Sequence, residues 1–386
     1  MRIAYFTESL YPHVDGVSRT LARLFATLEE RGEDFRIFSP FVPDGSVSWS
    51  ERVQGVRSFR FPPYPDYRVS LPGSAAVAVE LERFRPDLVH VVSPTPMAVW
   101  AQRWARRHAV PVVASFHTHF VSYFRYYGVR PLERWGWGAL RWFYARCERV
   151  YAPSRSIIRE LEARGIRRVE LWSRGIDLSA FSPDFRDPEL RARAGADEKT
   201  PLLLLVSRLV KEKDLADLVE LDRILKERGV PFRLALVGEG PMRAELERKL
   251  PDALFAGHQG GESLARWYAS ADVFVFPSTT ETLGNVVLES LASGVPAVVV
   301  DRGGPQDLVR PGETGFVARA NDPADLAEKV ARLLGDPALR ARMGEAAVRS
   351  AVTRDWEEIN GGLLESYGKV VGRRSSDHGQ GMTDDR

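Results

Sequence analysis

Cysteine is nearly absent: Cys147 stands alone among 386 residues. A single thiol can form no intrachain disulfide, so the fold rests on its core and a reducing, cytoplasmic setting is expected. Cys147 itself lies in an arginine- and aromatic-rich helical pattern and reads as packing, not as a nucleophile. Lysine is absent from the first 183 residues, which carry 26 arginines. That half is net basic and the remainder net acidic, although the whole chain sums to only +2. Surfaces of opposite sign suit different partners. No apolar run approaches the roughly 18 residues of a membrane span, and Met1 leads straight into an apolar first strand with no signal pattern ahead of it. Asp-x-Asp occurs nowhere, so a carboxylate-held metal bridging a diphosphate is not expected. Walker A and G-x-S-x-G sequences are missing, and no G-x-G-x-x-G follows the first strand, which speaks against P-loop, hydrolase-elbow and ordinary dinucleotide sites.

What is present describes a soluble globular protein, 44% hydrophobic and 27% charged, long enough for two domains. Apolar β-type runs alternate with helical patterns throughout, the mark of a parallel α/β architecture. Strands are expected near 3–7, 35–38, 56–61, 88–92, 112–116, 149–152 and 169–172. The alternation starts afresh at Leu202, with further strands near 233–237, 253–256, 273–276, 297–300 and 315–318. Two doubly wound domains follow, 1–183 and 201–355, joined by a polar hinge at 184–200 with a short helix. A last helix is expected over 356–372 and a disordered tail over 373–386. In such sheets ligands sit at the carboxyl ends of strands, so the cleft between the domains is the expected site.

The stretch PSTTETLGNVVLESLASGVP, 277–296, closes one of these strands. Glu281 falls at a strand-to-helix junction, where backbone amides are unpaired. Glu289 lies eight residues on, about two turns into the helix that Gly284-Asn285 opens. Two carboxylates beside free amides suit a ligand with hydroxyls at one end and phosphates in the middle; an amphipathic helix with two solvated glutamates reads equally well. Arg208 and Lys213 follow the strand at 202–206, a clamp and a mobile charge fit for pyrophosphate, or simply a basic loop. Gly238 marks a tight turn where a base or phosphate could approach, and Asp301–Pro305 is another glycine loop. Gly16 opens the first helix, as a phosphate neighbour or as a cap. His117 closes the strand at 112–116 and faces the cleft. His119, two residues on, faces the other way, so no metal pair is expected.

Residues 121–150 interleave six arginines with nine Tyr, Phe and Trp residues. Core packing, contact with an anionic membrane and nucleic-acid binding would all use that composition.

The assembled motifs resemble glycosyltransferase family 4, retaining enzymes of GT-B fold. Glu281 and Glu289 match the family's E-x7-E element, Arg208 and Lys213 its R-x4-K element, and Phe116–Thr118 and Arg174–Asp177 also match. TETLGNVVLE, SFHTH and TESLYPHVDGV are most similar to the branch holding sulfoquinovosyl-diacylglycerol synthases and GDP-mannose-dependent mannosyltransferases. Ser207 stands where glycine is common, and Thr282-Leu283 replaces the commoner Ala-Phe.

The resemblance implies transfer of a hexose from a GDP- or UDP-sugar, without metal or other cofactor, to a hydroxyl acceptor that is a lipid or glycolipid. Glu289 would accept from the ribose hydroxyls. Glu281, with Thr282, Leu283, Gly284 and Asn285, would hold the hexose. Arg208 and Lys213, beside Ser207 and Gly238, would face the diphosphate, over which the Gly16 loop closes. His117 would orient the sugar or share a proton with the transferred hydroxyl. The basic first half and its Arg–aromatic stretch suggest peripheral contact with the anionic inner face of a membrane through 121–150, and no nucleic-acid partner is expected. A soluble sugar acceptor and a non-catalytic nucleotide-sugar-binding regulator are the alternatives.

Overall fold

The computed structural model describes residues 1–61, 64–119, 121 and 131–380. The first sheet is built from β1 (Arg2–Phe6), β2 (Asp34–Ser39), β3 (Val53–Gly55), β6 (Leu88–Val91), β7 (Val112–Ser115), β8 (Arg149–Ala152) and β9 (Val169–Leu171). These strands are parallel and run in the order β3-β2-β1-β6-β7-β8-β9. Between β3 and β6 the chain makes a separate antiparallel hairpin, β4 (Ser58–Phe61) with β5 (Tyr64–Ser70). The single strand expected over 56–61 is thus two pieces. β3 ends at Gly55 on the sheet edge, and the residues beyond it pair with β5 instead.

The second sheet comprises β10 (Leu202–Val206), β11 (Arg233–Val237), β12 (Leu254–Gly257), β13 (Val273–Phe276), β14 (Ala297–Val300) and β15 (Gly315–Ala318). Its order is β12-β11-β10-β13-β14-β15, again parallel.

Helices cover both faces of each sheet, so the strands are apolar on both sides. Ile3 and Tyr5 point to a core shared with Leu21, Leu24 and Phe25 of the helix Gly16–Glu30, while Ala4 and Phe6 point to the opposite core. In β10, Leu202, Leu204 and Val206 face one side and Leu203 and Leu205 the other.

Residues 184–200 do not hang free as a linker. Leu190, Ala194 and Ala196 of the short helix Pro188–Arg193 and its exit join the second sheet's core. Arg191 Nη1 lies 2.8 Å from the Asp272 carboxylate. Three apolar positions inside a charged stretch are enough to seat it.

The helix Trp356–Gln380 returns to the first domain, where Leu363, Leu364, Tyr367 and Val370 enter the core that holds Ile3 and Tyr5. The Trp356 ring lies over Gly175, where a Cβ would come within 2.6 Å of it. This helix runs through Gln380 and does not stop at 372. Gly372 does not end it, since the same helix already tolerates Gly361, Gly362 and Gly368, and no proline follows. The remainder of the expected tail, 381–386, lies outside the described residues.

Candidate functional site

Each sheet reverses its strand order once, between β1 and β6 and between β10 and β13. At such a point neighbouring loops leave in opposite directions and open a crevice at the carboxyl ends of the strands. In the second domain those loops are 207–214 and 277–284. Thr280 Oγ1 donates to the Glu212 carbonyl at 2.8 Å, and the amide and hydroxyl of Thr279 both donate to Asp214 at 2.8 Å. Tied together in this way, the two loops place Lys213 in an ion pair with Glu281. Arg208 also acts on Glu281, and its own Nη2 lies 3.8 Å from the Glu212 carboxylate. Burial alone would raise the Glu281 pKa, but Lys213 and then Arg208 outweigh it and hold the carboxyl below its usual range.

Gly303 and Gly304 lie beneath this loop. A Cβ on them would sit 2.7 Å from the Glu281 carbonyl and 2.0 Å from the Thr282 carbonyl, and Gly304 N donates to the Glu281 carbonyl at 2.8 Å. They serve a close approach of backbone to backbone. Gly238 does likewise: at φ +138°, its Cβ would fall 1.9 Å from the Ser207 carbonyl. Ser207 and Gly238 therefore meet at the end of β10, where the Ser207 hydroxyl donates to the Arg208 carbonyl at 2.7 Å.

Gly284, at φ +92°, precedes the helix Asn285–Ala292. The helix starts at Asn285 as expected, and counted from there Glu289 is little more than one turn into it, not two. Glu289 Oε2 accepts from the buried Tyr268 hydroxyl at 2.8 Å. Burial raises the Glu289 pKa, against the opposing pull of Tyr268 and Arg19. Across the cleft, Gly16 begins its helix behind the Asp15 cap, and a Cβ there would lie 3.3 Å from Asn285 Nδ2. Two helix N-termini, at Gly16 and at Asn285, thus lie close together.

His117 follows β7. Its carbonyl accepts from Thr282 Oγ1 at 2.7 Å, and Ser154 Oγ donates to the Thr282 carbonyl at 2.8 Å. Thr282 and Leu283, both buried, are held against the first domain in this way. The amide of Ser156 reaches Asp307 at 2.6 Å and reinforces the closure. On the ring, Arg174 Nη2 lies 2.7 Å from Nδ1. Guanidinium has no acceptor, so it donates and Nδ1 accepts. Burial, then Arg174 and His90, push the His117 pKa well below its usual value. The ring is therefore neutral with its proton on Nε2, an atom with no hydrogen-bond partner among the described residues. This state can donate to a substrate oxygen but cannot take a proton at Nε2. Of the two roles expected for His117, the geometry favours orienting. His119 turns the other way, to Glu160 at 2.9 Å.

Arg174 enters the sequence reading only through a motif match that gives it no role, and Arg19 and Tyr268 do not enter it. Nothing in the sequence marks the last two. Glu8, in the loop after β1, was also passed over. It is 1% exposed, and neither carboxylate oxygen finds a partner. Burial pushes its pKa up to about 7 from 4.5, and Thr95 and Ser70, near the carboxyl but outside hydrogen-bonding geometry, offset that only in part. A raised carboxyl pKa makes folding favour the protonated form: that stability is full below pH 4.5 and is lost as pH rises through 7. Glu8→Gln, neutral at every pH, should match the wild type in urea unfolding at pH 4.5 and exceed it by about 3 kcal/mol at pH 8.5.

The aromatic stretch divides. Trp137, Leu140, Phe143, Tyr144 and Cys147 are core, and burial pushes the thiol up to about 12, which makes it inert. Leu132, Trp135 and Trp142 are exposed on the helix Leu132–Tyr144, beside exposed Arg134, Arg141 and Arg146. Tyr123, Phe124, Arg125, Tyr126, Tyr127 and Arg130 lie outside the described residues. Among the described residues no helix is long and apolar enough to cross a membrane.

Comparison with known proteins agrees with this geometry. Residues 14–180 match the model of Glycosyltransferase Family 4, and residues 186–350 that of Glycosyl transferases group 1. A GDP-mannose-dependent alpha-mannosyltransferase of Mycolicibacterium smegmatis is 35% identical over 97% of this chain and 99% of that protein. The sulfoquinovosyl transferase SQD2 of Arabidopsis thaliana is 34% identical over 92% of this chain and 71% of its own length. Sucrose-phosphate synthase from Thermosynechococcus elongatus superposes with a TM-score of 0.77 at 19% identity, covering 96% of this chain and 99% of that one, which supports the shared GT-B architecture. With two matched family models in sequence and full-length relatives at this identity, the chain belongs to glycosyltransferase family 4.

Proposed function

We propose that this family 4 glycosyltransferase moves a hexose, with retention and without a metal, from a nucleotide diphosphate sugar to a hydroxyl on a lipid or glycolipid at an anionic membrane surface. One observation carries the reading: Arg208, Lys213 and Glu281 converge at the switch point of the second sheet, opposite His117 of the first. Two cations there would take up the charge of a leaving diphosphate, the task a metal performs elsewhere. Among the described residues no group of three His, Cys, Asp or Glu side chains is placed to hold a metal. Glu281 is committed to Lys213 and Glu289 to Tyr268, so neither stands free as a nucleophile, which favours displacement on one face of the sugar. GDP-mannose is the first donor to try, given the relatives' names. The exposed Trp135, Trp142 and arginine face suits the headgroup region of an anionic leaflet on the cytoplasmic side.

The test is consumption of GDP- and UDP-hexoses with and without lipid extract, paired with flotation on anionic liposomes. Lipid-stimulated donor loss and salt-sensitive flotation are expected. Loss of no donor would overturn the transferase reading; turnover without flotation at low salt would shift the acceptor to a soluble sugar.

A further inference from the structure

Glu289 has one partner from each domain. Oε2 is held by Tyr268, which is fully buried and wedged against Phe181 and Phe274. Oε1 faces Arg19 of the first domain, whose Nη1 lies 3.7 Å away across the cleft. The two partners differ in kind. Tyr268 is rigid. Arg19 is half exposed and on a long flexible stem, and such a pair in water is weak.

A ribose diol donates two hydrogen bonds to a carboxylate. Tyr268 occupies one acceptor site of Oε2, so a diol that spans both oxygens must also engage Oε1, where it competes with Arg19. The displaced guanidinium stays tethered to the helix Gly16–Glu30, one turn beyond Gly16, where that helix meets Asn285. Phosphate oxygens placed between the two helix N-termini would lie within its reach, and guanidinium binds phosphate as a bidentate fork.

We infer that Arg19 exchanges partners: it holds Glu289 while the cleft is empty and passes to the donor's phosphates when the ribose takes Glu289. This rests on the nucleotide-sugar reading above. Arg19 is then a competitor for a nucleoside and a contact for a nucleoside diphosphate, so its removal changes the two affinities in opposite directions.

The experiment is calorimetric titration of wild type, Arg19→Gln and Arg19→Lys with guanosine, GDP, uridine and UDP. For the accepted base, Arg19→Gln should bind the nucleoside about threefold more tightly and the diphosphate about 10- to 100-fold more weakly. Arg19→Lys, with charge but no fork, should fall between. Unchanged binding of both ligands, or equal weakening of both, overturns the exchange. Wild type that binds neither diphosphate overturns the donor reading instead, and this inference with it.

Discussion

Alanine at Glu281 lowers kcat/KM for donor consumption by a factor of about 10³ while thermal melting shows a folded protein. Glu281 does two things in this geometry. It presents a carboxylate to the crevice, and it neutralises Lys213, whose side chain is only 8% exposed. Removing one partner of a buried pair leaves the other charge uncompensated, at a cost of about 3–5 kcal/mol. Lys213 escapes that cost by swinging into solvent, and the leaving diphosphate then loses a cation placed for it. Spent on the transition state, that energy is a rate factor of about 10²–10⁴. Glu281→Gln keeps the shape and an acceptor oxygen but not the charge, so it should fall between wild type and alanine. If the alanine variant keeps activity within tenfold of wild type, neither the pairing nor the hold on the sugar matters to turnover.

The sequence exposes the ends of buried parallel strands well, because a strand covered on both faces reads as an unbroken apolar run with polar residues starting where the sheet stops. Ser207–Lys213 and Pro277–Glu281 stand out for that reason. Strand order is not written in such runs. That Arg208 and Glu281 share one crevice follows from β10 lying beside β13, which only the assembled sheet reveals.

Cross-cleft partners are hidden more deeply. Arg19 is one of 26 arginines in its half of the chain, on the polar side of an amphipathic helix, and nothing local separates it from a solvated residue. Glycine is ambiguous in another way. Gly238, Gly303 and Gly304 are required by carbonyls of this same chain, but a glycine required by a phosphate would leave the same mark. The short helix expected within 184–200 is there, but its docking is hidden by the charges around Leu190, Ala194 and Ala196, the three apolar residues that tell it from a free hinge.

Arg174→Met should lower kcat about 100-fold and, unlike the wild type, give an acidic limb in the pH–rate profile. In the folded wild type, burial and then the Arg174 charge keep His117 neutral well below pH 6.5, so no ionisation of this ring appears in the working range. The Arg174 guanidinium, itself buried and held by the carbonyls of Trp172 and Ser173 at 3.4 Å, also fixes which nitrogen carries the proton. Without it the ring loses its fixed tautomer and half its population presents a lone pair where a donor is needed. Its pKa also rises, although burial, the larger cause, still holds it below 6.5, so activity falls with pH only below that value. His117→Ala removes the donor outright and should cost about 10²–10³ in kcat, the scale for one donor aimed at developing charge. Arg174→Lys restores a single hydrogen bond to Nδ1 and should recover part of the rate. The outcome that would reverse the assignment is a wild-type ionisation near 6.5 that vanishes in His117→Ala: the ring would then accept the acceptor's proton, and the Arg174 contact would have to open during turnover.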